Sequence, residues 1–490
     1  MNQPIRRVAI FCFLLIASLL VASNYIQVVN ADSYTSRAAN KRNLYDQYAY
    51  PRGEITTADG KVIAQSLPSN GINFKYQRQY PKGSLYANIT GYKSTGFGQT
   101  GVENQLDQFL QGNGGSLAVS NFLDTVTGKP RRGGNVQLTI DSKVQEVANA
   151  AMAGKQGSVV ALDPTTGAIL AMYSNPTYDP NTIVPNDGIG VTKALTALNA
   201  DPEKPNVNNA IRETYAPGSI FKIVTAAAAL DSGKFTETGP TGAPTTYLPF
   251  DDSRSGLTNE DGACGDDTLR TALAQSCNTV FGFVGRQVGE PTMIDTAHKF
   301  GLDTPGLATP LPVVQSVFPT QSMGQTSLAQ ASIGQFDTRI TPLQAAMIAA
   351  AVANDGTLMQ PYLVAKETSD RGSTAFSATP KVFSQAMSPQ AAKALQDMMV
   401  NVVQTGTGKN GQIIAADGTP VTVGGKTGTA QRGAKQNPLA WFISYASLNG
   451  KNVAVAVLVQ DSQASRQDIS GGGLAAPVAQ QVMKAVLGIP

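Results

Sequence analysis

The sequence predicts an α+β fold in which helices cover a central sheet, giving three layers. Strand patterns occur near both ends of the C-terminal part of the chain, at residues 158–172 and 453–459, and helical patterns dominate between them. Strands at both ends that enclose a helical middle are typical of a sheet covered by helices. A shorter, turn-rich segment precedes this domain, and an apolar run precedes both.

The apolar run near the N-terminus predicts a membrane anchor. It follows two arginines and covers residues 8–23, or 8–29 if two polar residues are included, and a spanning helix needs about 20 residues. We therefore assign residues 1–31 to a cytoplasmic tail and a transmembrane helix. The alternative is a signal peptide that is cleaved after Ala31, where small residues are suitable for cleavage.

Residues 32–135 predict a small N-terminal module. Residues 51–64 have the pattern of two strands joined at an Asp-Gly dipeptide, which favours hairpin turns, and residues 101–107 have the pattern of a short helix. A polar Arg-Arg-Gly-Gly break at residues 131–134 separates this part from the next regular pattern. We place the domain boundary after it, so that the main domain comprises residues 136–490.

The main domain begins and ends with regular elements. A strand at residues 136–140 is followed by Asp141, a residue type that caps helix N-termini, and then by a helical pattern. Residues 158–172 predict a hairpin of two apolar strands. The valine-rich run at residues 453–459 predicts a fully buried strand, and residues 474–487 predict a C-terminal helix.

Composition excludes several classes of function. The net charge of +3 is too small to indicate a nucleic-acid-binding protein. The chain has one histidine, His298, and three cysteines, which are too few for a His-based zinc cluster or a Cys-rich metal site. A Ser-His-Asp triad would have to use His298, so we expect a different side chain to act as the catalytic base.

Ser219 and Lys222 form the first candidate catalytic pair. Pro217-Gly218 predicts a turn and residues 223–230 an alanine-rich helix, so Ser219 lies at the N-terminus of that helix. Residues three apart on a helix share a face, which brings the amine within reach of the hydroxyl. A neutral lysine can activate a serine nucleophile, and free N–H groups of the first helical turn can stabilise an anion beside it.

Two further motifs follow in order, after about sixty and then 150 residues. Ser276 and Asn278 come directly after a helical pattern. Residues 421–430 predict a strand that changes from valines to Gly-Gly-Lys-Thr-Gly-Thr, and the glycines allow another backbone to approach closely. The edge of such a strand, carrying Lys426, Thr427 and Thr429, can pair with an extended peptide and hold its terminal carboxylate. Each motif is weak by itself, but their order and spacing indicate one active site.

Ser-x-x-Lys, Ser-x-Asn and Lys-Thr-Gly in this order resemble the signature of penicillin-binding proteins and serine β-lactamases. The resemblance covers nearly the whole chain and is closest to the class B enzymes, in particular to the actinobacterial penicillin-binding protein A group. Phe336 departs from the pattern, because relatives often have a glycine there. Segments outside the motifs that share the resemblance are residues 52–53, 101–107, 163–181, 334–335, 341–344 and 440–442.

The resemblance implies a β-lactamase/transpeptidase-like domain with a central antiparallel sheet, and a pedestal or dimerisation role for residues 32–135. It also implies that Ser219 attacks the carbonyl between the last two D-alanines of a peptidoglycan stem peptide. Lys222 would accept the serine proton, with Lys426 favouring its neutral form. Ser276 would relay the proton to the departing D-alanine. No metal or organic cofactor is required.

The remaining motif residues are implied to bind the substrate. Asn278 would bind a substrate amide, and Lys426, Thr427 and Thr429, with Gly428 between the two hydroxyls, would hold the terminal carboxylate. The backbone N–H groups of Ser219 and Thr429 would form the oxyanion hole. β-Lactams are expected to acylate Ser219, because their strained amide mimics the D-alanyl-D-alanine bond.

The resemblance also implies partners and a location. The partners are peptidoglycan stem peptides, β-lactams, the cell membrane and a glycosyltransferase of the FtsW/RodA type. The chain would cross the membrane once, with a cytoplasmic N-terminus and an extracytoplasmic catalytic domain. A D,D-carboxypeptidase and a membrane-anchored β-lactam sensor or scaffold are the alternatives. A class A β-lactamase is disfavoured, because Glu290 lacks the sequence context of the deacylating glutamate in those enzymes.

Two cysteines lie in the part expected outside the cell. Cys12 falls in the anchor, which leaves Cys264 and Cys277 in a compartment where disulfides persist. A bridge between them would brace Ser276 and Asn278, which flank Cys277. Two unconnected buried thiols are the alternative.

Overall fold

The computed structural model begins with an apolar helix, α1 (Gln3–Asn24), which one further turn extends to Val29. The segment from Gln3 to Val29 contains an 18-residue window with a mean hydropathy of 2.3, and none of its residues is buried. At about 1.5 Å per residue it is long enough to cross the hydrocarbon core of a bilayer. The predicted cleavage position, Ala31, lies outside the described residues. The structure describes residues 3–30, 42–71, 73–114, 117, 121, 127, 131–186, 188–250, 255–260, 262–307, 309–415, 417–432 and 436–490.

Short elements make up the part that precedes the main domain. In chain order they are α2 (Arg42–Gln47), β1 (Ile55–Thr56), β2 (Val62–Pro68), β3 (Tyr76–Gln79), α3 (Ala87–Thr90), β4 (Lys93–Ser94), β5 (Gly98–Gln99), α4 (Gly101–Gln105), α5 (Asp107–Leu110) and β6 (Asn135–Leu138). β1 and β2 form the predicted hairpin, and α4 lies where the short helix is predicted.

The first half of the main domain alternates strands with helices. Its elements are α6 (Ser142–Ala151), β7 (Lys155–Leu162), β8 (Ile169–Asn175), α7 (Val191–Ala200), α8 (Lys222–Asp231), β9 (Tyr247–Pro249), β10 (Gly256–Thr258), α9 (Leu269–Gln275), α10 (Asn278–Val288) and α11 (Glu290–Lys299). The carboxylate of Asp141 accepts hydrogen bonds from the backbone N–H groups of Lys143 and Val144, so it caps α6 as predicted.

The second half contributes the remaining strands of the central sheet. Its elements are α12 (Gln325–Ser332), α13 (Pro342–Ala353), β11 (Thr357–Met359), β12 (Val364–Thr368), β13 (Thr374–Ser377), β14 (Val382–Gln385), α14 (Pro389–Gln404), β15 (Ile413–Ile414), β16 (Pro420–Val421), β17 (Val423–Ala430), β18 (Leu439–Leu448), β19 (Lys451–Ser462) and α15 (Ala476–Leu487).

The central sheet has five antiparallel strands in the order β17-β18-β19-β7-β8. Side chains of β19 alternate between two cores, as the period of a strand requires. The valines at 453, 455, 457 and 459 pack with α6 and α15, whereas residues 454, 456 and 458 pack with α8 and α13 on the opposite face. Helices therefore cover both faces, which is the predicted three-layer arrangement.

A second sheet connects the N-terminal part to the main domain. It has six strands in the order β13-β12-β6-β1-β2-β3, with β6 parallel to β1 and antiparallel to β12. The predicted boundary at residue 136 lies inside β6. The two predicted domains therefore share one sheet.

A buried ion-pair network supports the N-terminal part. The Glu103 carboxylate is fully buried and accepts hydrogen bonds from Arg52 Nε and Arg78 Nε, each at 2.6 Å. The hydroxyl of Tyr80 donates to the same carboxylate at 3.1 Å. Arg52 also pairs with Asp107, with 2.7 Å between Nη1 and Oδ1. Loss of Glu103 would therefore remove the ion pair of buried Arg78 and one of the two described ion pairs of buried Arg52.

Candidate active site

Ser219 lies in a tight turn that leads directly into α8. Residues Gly218–Phe221 form one turn of 3-10 helix, so the serine stands one turn before the predicted alanine-rich helix. Gly218 has a φ of +54°, and its N–H donates to the carbonyl of Gly334 at 2.9 Å. The indole N–H of Trp441 donates to the carbonyl of Ala216 at 3.0 Å. These contacts fix the turn against the central sheet and the 334 loop.

Lys222 is fully buried and points at the serine. Its Nζ lies 2.9 Å from Ser219 Oγ, 2.5 Å from the carbonyl oxygen of Ser276 and 2.8 Å from Asn278 Oδ1. A neutral amine has two N–H groups and one lone pair. The carbonyl and the amide oxygen can accept from both N–H groups, which leaves the lone pair for the Ser219 hydroxyl.

Ser276 connects the two lysines of the site. It ends α9 in the left-handed conformation, with φ 62° and ψ 37°, and α10 starts two residues later at Asn278. Ser276 Oγ accepts a hydrogen bond from Lys426 Nζ at 2.8 Å and lies 3.4 Å from Lys222 Nζ. The strained backbone thus turns both the hydroxyl and the carbonyl of one residue towards the amines.

The amide of Asn278 is engaged within the protein. Its oxygen faces Lys222, and its Nδ2 donates to the carbonyl of Thr258 at 2.9 Å. Asn259 caps α10, because its Oδ1 accepts from the N–H groups of Asn278 and Thr279 at 2.7 and 3.0 Å. A role of Asn278 in binding a substrate amide stays a prediction.

Cys264 and Cys277 are joined by a disulfide, with their Cα atoms 6.2 Å apart. Cys277 is buried and stands between Ser276 and Asn278. The bridge therefore attaches the second motif to the loop that precedes α9.

The third motif lies on β17, at the edge of the five-stranded sheet within the described residues. Lys426 is fully buried, and its Nζ donates to Ser276 Oγ and to the carbonyl of Thr427 at 2.9 Å. The hydroxyl of Thr427 lies 2.6 Å from that of Thr407. Gly428 packs against the serine turn, because a Cβ there would lie 3.0 Å from the carbonyl of Pro217.

Burial controls the protonation of both lysines. Burial, and then the charge of Lys426, lower the pKa of Lys222 well below its usual value. Burial lowers the pKa of Lys426 to about 7. The carboxylate of Glu260 opposes both changes. Near neutral pH the site therefore favours the neutral Lys222 that serine activation requires.

A cavity of about 460 Å³ opens in front of the serine. The described residues that line it are Ser219, Glu260, Gln275, Ser276, Thr407, Asn410, Thr427, Thr429, Ser470, Gly471, Gly472 and Gly473. Ser219, Ser276, Thr427 and Thr429 come from all three motifs, so the structure brings the predicted site together.

Sequence reasoning did not identify several lining residues. The sequence does contain one signal for these residues, the Gly-Gly-Gly run at 471–473, since such a run indicates a close approach of the backbone to another part of the chain. In the structure, a Cβ on Gly471 would lie 2.1 Å from the carbonyl oxygen of Trp441. That distance requires glycine. Thr407 and Glu260 carried no comparable signal in the sequence. The described part of the chain contains no group of three or more His, Cys, Asp or Glu residues able to hold a metal ion.

Three other residues named above differ in their surroundings. His298 lies on α11 and faces Asp303, with 3.4 Å between Nε2 and Oδ2. Trp441 is fully buried in the core. Phe336 adopts a φ of +55° with 41% of its surface exposed, a backbone conformation in which glycine is unstrained.

Comparisons with known proteins agree with this geometry. The family model of the penicillin-binding protein transpeptidase domain matches residues 157–484, and that of the penicillin-binding protein A dimerisation domain matches residues 52–136. The peptidoglycan D,D-transpeptidase PbpA of Mycolicibacterium smegmatis is 42% identical over 499 residues, covering 99% of each chain. PbpA of Mycobacterium tuberculosis is 38% identical and also covers 99% of each chain.

Solved structures give the same result. Penicillin-binding protein A from M. tuberculosis, as a ceftriaxone acyl-enzyme complex, superposes with a TM-score of 0.83 at 36% identity, covering 90% of this chain and 100% of that one. The D,D-transpeptidase domain of an Eggerthella lenta peptidoglycan glycosyltransferase has a TM-score of 0.75 at 32% identity, covering 90% of this chain and 98% of that one. The predicted fold class and the family resemblance are confirmed, and the chain belongs to the penicillin-binding protein transpeptidase family.

Proposed function

We propose that this protein is a peptidoglycan D,D-transpeptidase that cross-links stem peptides through an acyl-enzyme on Ser219 and that β-lactams inhibit it covalently. The observation that carries the residue assignment is the position of Lys222. Its buried Nζ lies 2.9 Å from Ser219 Oγ, with acceptors for both of its remaining N–H groups. A base held in this way is ready to take the serine proton.

In the acylation step, Ser219 Oγ attacks the carbonyl carbon between the last two D-alanines while its proton passes to Lys222 Nζ. The backbone N–H groups of Ser219 and Thr429 stabilise the oxyanion, each by about 3 kcal/mol. The C–N bond then breaks, and the leaving nitrogen takes the proton from Lys222 through Ser276 Oγ. D-Alanine departs, and the rest of the stem stays bound to Ser219 as an ester.

The transfer step reverses these movements with a new amine. The amine of a neighbouring stem attacks the ester carbon and gives one proton to Lys222 as the C–N bond forms. The bond between that carbon and Ser219 Oγ breaks, and the proton returns to Ser219 Oγ. One amide bond is broken and one is made, so the cycle needs no oxidant, metal or organic cofactor.

The substrate also explains the edge position of β17. A stem peptide can pair with this edge strand while Lys426, Thr427 and Thr429 hold its terminal carboxylate. Gly428 lets the strand approach the serine turn closely. Asn278 would contact a backbone amide of the bound stem after its Nδ2 turns from the carbonyl of Thr258.

We propose a single membrane crossing, with the N-terminus in the cytoplasm and the catalytic domain outside. Helix α1 is long and apolar enough to serve as the anchor. The Cys264–Cys277 disulfide supports an oxidising compartment for the domain. We keep residues 1–31 as tail and anchor, 32–135 as the pedestal or dimerisation module, and 136–490 as the catalytic domain.

A glycosyltransferase of the FtsW/RodA type is the partner we propose at the membrane. Cross-linking joins stem peptides that are carried on glycan strands, so the transpeptidase acts on the product of a strand-polymerising enzyme. A membrane anchor on α1 would keep the two activities on the same surface.

The first experiment measures covalent labelling by a fluorescent penicillin. The wild type and Ser447→Ala should be labelled equally, because Ser447 starts a Ser-x-Asn sequence at the exposed end of β18, where its hydroxyl donates to Asn452 and not to a residue of the site. Ser219→Ala should take no label, and Ser276→Ala should react about 100-fold to 10,000-fold more slowly if its hydroxyl transfers the proton. Labelling that persists in Ser219→Ala would remove that residue from the mechanism.

A second experiment separates transfer from hydrolysis. Incubation with lipid-linked glycan that carries stem peptides should give cross-linked dimers together with free D-alanine. Release of D-alanine without dimers would instead identify a D,D-carboxypeptidase. Penicillin labelling without either product would indicate a sensor or scaffold.

A further inference from the structure

Three cavities form a continuous groove where the N-terminal part meets the main domain, which we name the junction groove. Their volumes are about 360, 620 and 420 Å³, each within the usual range for ligand sites. Asn104 and Gln105 line both the first and the second cavity, and Leu106 and Glu367 line both the second and the third. Among the described residues, none lines both this groove and the active-site cavity. Three cavities in a row fit a linear ligand, and a ligand bound here leaves the active site open.

The walls of the junction groove belong to one rigid framework. Residues between 99 and 109, on β5, α4 and α5, form one wall. The other wall comes from the main domain and includes residues of β12 and β13. Because β6 pairs with β1 on one side and with β12 on the other, the six-stranded sheet connects the two walls. The groove is therefore a built feature of the fold.

A carboxylate and an aromatic ring stand side by side in the groove. Glu367 on β12 and Phe376 on β13 are direct cross-strand partners, so their side chains share a face. Phe376 is 45% exposed. Within the described part of the chain, the Glu367 carboxylate makes no hydrogen bond and no ion pair, and burial alone raises its pKa. An apolar ring face beside a free acceptor matches the C–H face and the neighbouring hydroxyls of a sugar ring.

Carboxamides line much of the remaining groove. Among the described residues, the side chains of Asn104 and Gln105 have no hydrogen-bond partner. Both amide atoms of Asn88, on the wall of the first cavity, are buried and also lack a partner in the described structure. A turn of this side chain towards the cavity would therefore break no hydrogen bond. A carboxamide donates and accepts at the same time, as hydroxyl and acetamido groups require, and a ligand can satisfy one that is buried and unpartnered.

We propose that the junction groove binds the glycan strand that carries the stem peptides, a linear chain of β-linked N-acetylated hexosamines. The inference rests on the proposed function, which makes such a strand the carrier of the substrate. Sugar rings stack on Tyr178, Phe109 and Phe376, which line the first, second and third cavity. Glu367 accepts hydrogen bonds from hydroxyls, and the carboxamides bind acetamido groups. Holding the strand raises the local concentration of its stems at Ser219.

The first test measures binding of chitohexaose, a neutral β-linked chain of N-acetylglucosamine, to the full chain in detergent by titration calorimetry. Chitohexaose should bind equally to the free protein and to the protein acylated by benzylpenicillin, because the groove is separate from the active site. Cellohexaose has the same linkage without acetamido groups and should bind about fivefold more weakly or less. Loss of chitohexaose binding on acylation, or equal binding of the two sugars, would overturn the inference.

Substitutions in the groove locate the bound sugar. Phe376→Ala should weaken chitohexaose binding about fivefold and Glu367→Gln about tenfold, whereas Phe376→Tyr should retain binding because the ring remains. Ile414→Ala removes a side chain that is 62% exposed on β15, outside the groove, and serves as the matched apolar control. Glu146→Gln removes an exposed carboxylate on α6 that pairs with Lys82, and serves as the charge control. Both controls should bind as the wild type, and wild-type binding by the two groove variants would contradict the assignment.

Kinetics with two substrates separate this inference from the proposed function. With lipid-linked glycan, Phe376→Ala and Glu367→Gln should raise KM about fivefold or more and leave kcat unchanged. With a free stem peptide and with benzylpenicillin, both should react at wild-type rates. If they match the wild type on glycan while penicillin labels Ser219 normally, the groove does not hold the strand and the proposed function stands. Equal slowing on the glycan and the free peptide would also refute the groove, whereas absence of penicillin labelling in the wild type would refute the proposed function.

Discussion

Replacing Asn278 by aspartate places a carboxylate against the catalytic lysine. Asn278 Oδ1 lies 2.8 Å from the fully buried Lys222 Nζ. With an effective dielectric constant of about 20, unit charges at this distance attract by about 6 kcal/mol, a ceiling that the cost of burying the carboxylate reduces. The substitution therefore raises the pKa of Lys222, because it favours the charged amine.

This rise in the pKa of Lys222 should slow acylation at neutral pH. Only the neutral amine of Lys222 accepts the Ser219 proton. If its pKa is raised, Lys222 is protonated and inactive as a base at neutral pH, and it becomes neutral again at higher pH. Opposite charges in contact change a pKa by about one to three pH units. At pH 7 we expect acylation of Asn278→Asp by benzylpenicillin to be about tenfold or more slower than acylation of Asn278→Ala, which loses the acceptor but gains no charge.

The assay is the second-order rate of acylation between about pH 5 and pH 10. The rate for Asn278→Asp should increase about tenfold per pH unit until Lys222 becomes neutral and should then approach the rate for Asn278→Ala. Matching thermal unfolding curves would show that both variants are folded. Parallel pH profiles of the two variants would refute the assignment of Lys222 as the base.

Three further substitutions test the supporting structure. Joint replacement of Cys264 and Cys277 by alanine should lower the free energy of unfolding by about 3 kcal/mol, and finding both thiols free in the exported wild type by mass spectrometry would contradict the bridge. Glu103→Gln should lower the free energy of unfolding, measured in urea, by about 3–5 kcal/mol, because buried Arg78 loses its ion pair and buried Arg52 keeps the pair with Asp107 but loses the one with Glu103. Burial alone would raise the pKa of Glu103, but Arg78 and Arg52 hold it below its usual value, so its contribution is present above about pH 4.3 and is lost as the pH falls through the native pKa. Phe336→Gly should raise the free energy of unfolding by about 0.5–1 kcal/mol, because glycine adopts the φ of +55° without strain, and an unchanged melting temperature would count against this explanation.

The parts of the site that depend on local geometry could be predicted from the sequence. Ser219 and Lys222 meet because residues three apart in a helical turn share a face, and the strand pattern around Lys426 correctly indicates an edge strand. For Ser276 the spacing gave no position relative to the lysines, and only the family resemblance implied a role in proton transfer. The structure places its hydroxyl between the two amines, 2.8 Å from Lys426 Nζ and 3.4 Å from Lys222 Nζ.

Contacts between distant segments could not be predicted in this way. The hydroxyl of Thr407 meets that of Thr427 only because α14 packs beside β17. Glu260 reaches the site because Asn259 attaches its loop to α10. β6 pairs with β12, although the two strands are more than two hundred residues apart in the chain. The sequences of the two strands do not indicate that they are partners. A pattern indicates that a strand forms, whereas its partner depends on the packing of the whole domain.

The shared six-stranded sheet also sets an order of events during synthesis. β6 ends at residue 138, and its partner β12 ends at residue 368, which is 230 residues later. At about 5–20 residues per second, roughly 10–50 seconds pass before the ribosome supplies that partner. During this interval one edge of β6 is open to strands of other nascent chains. Export or chaperone binding of the newly made segment therefore has to protect this edge until the later strand arrives.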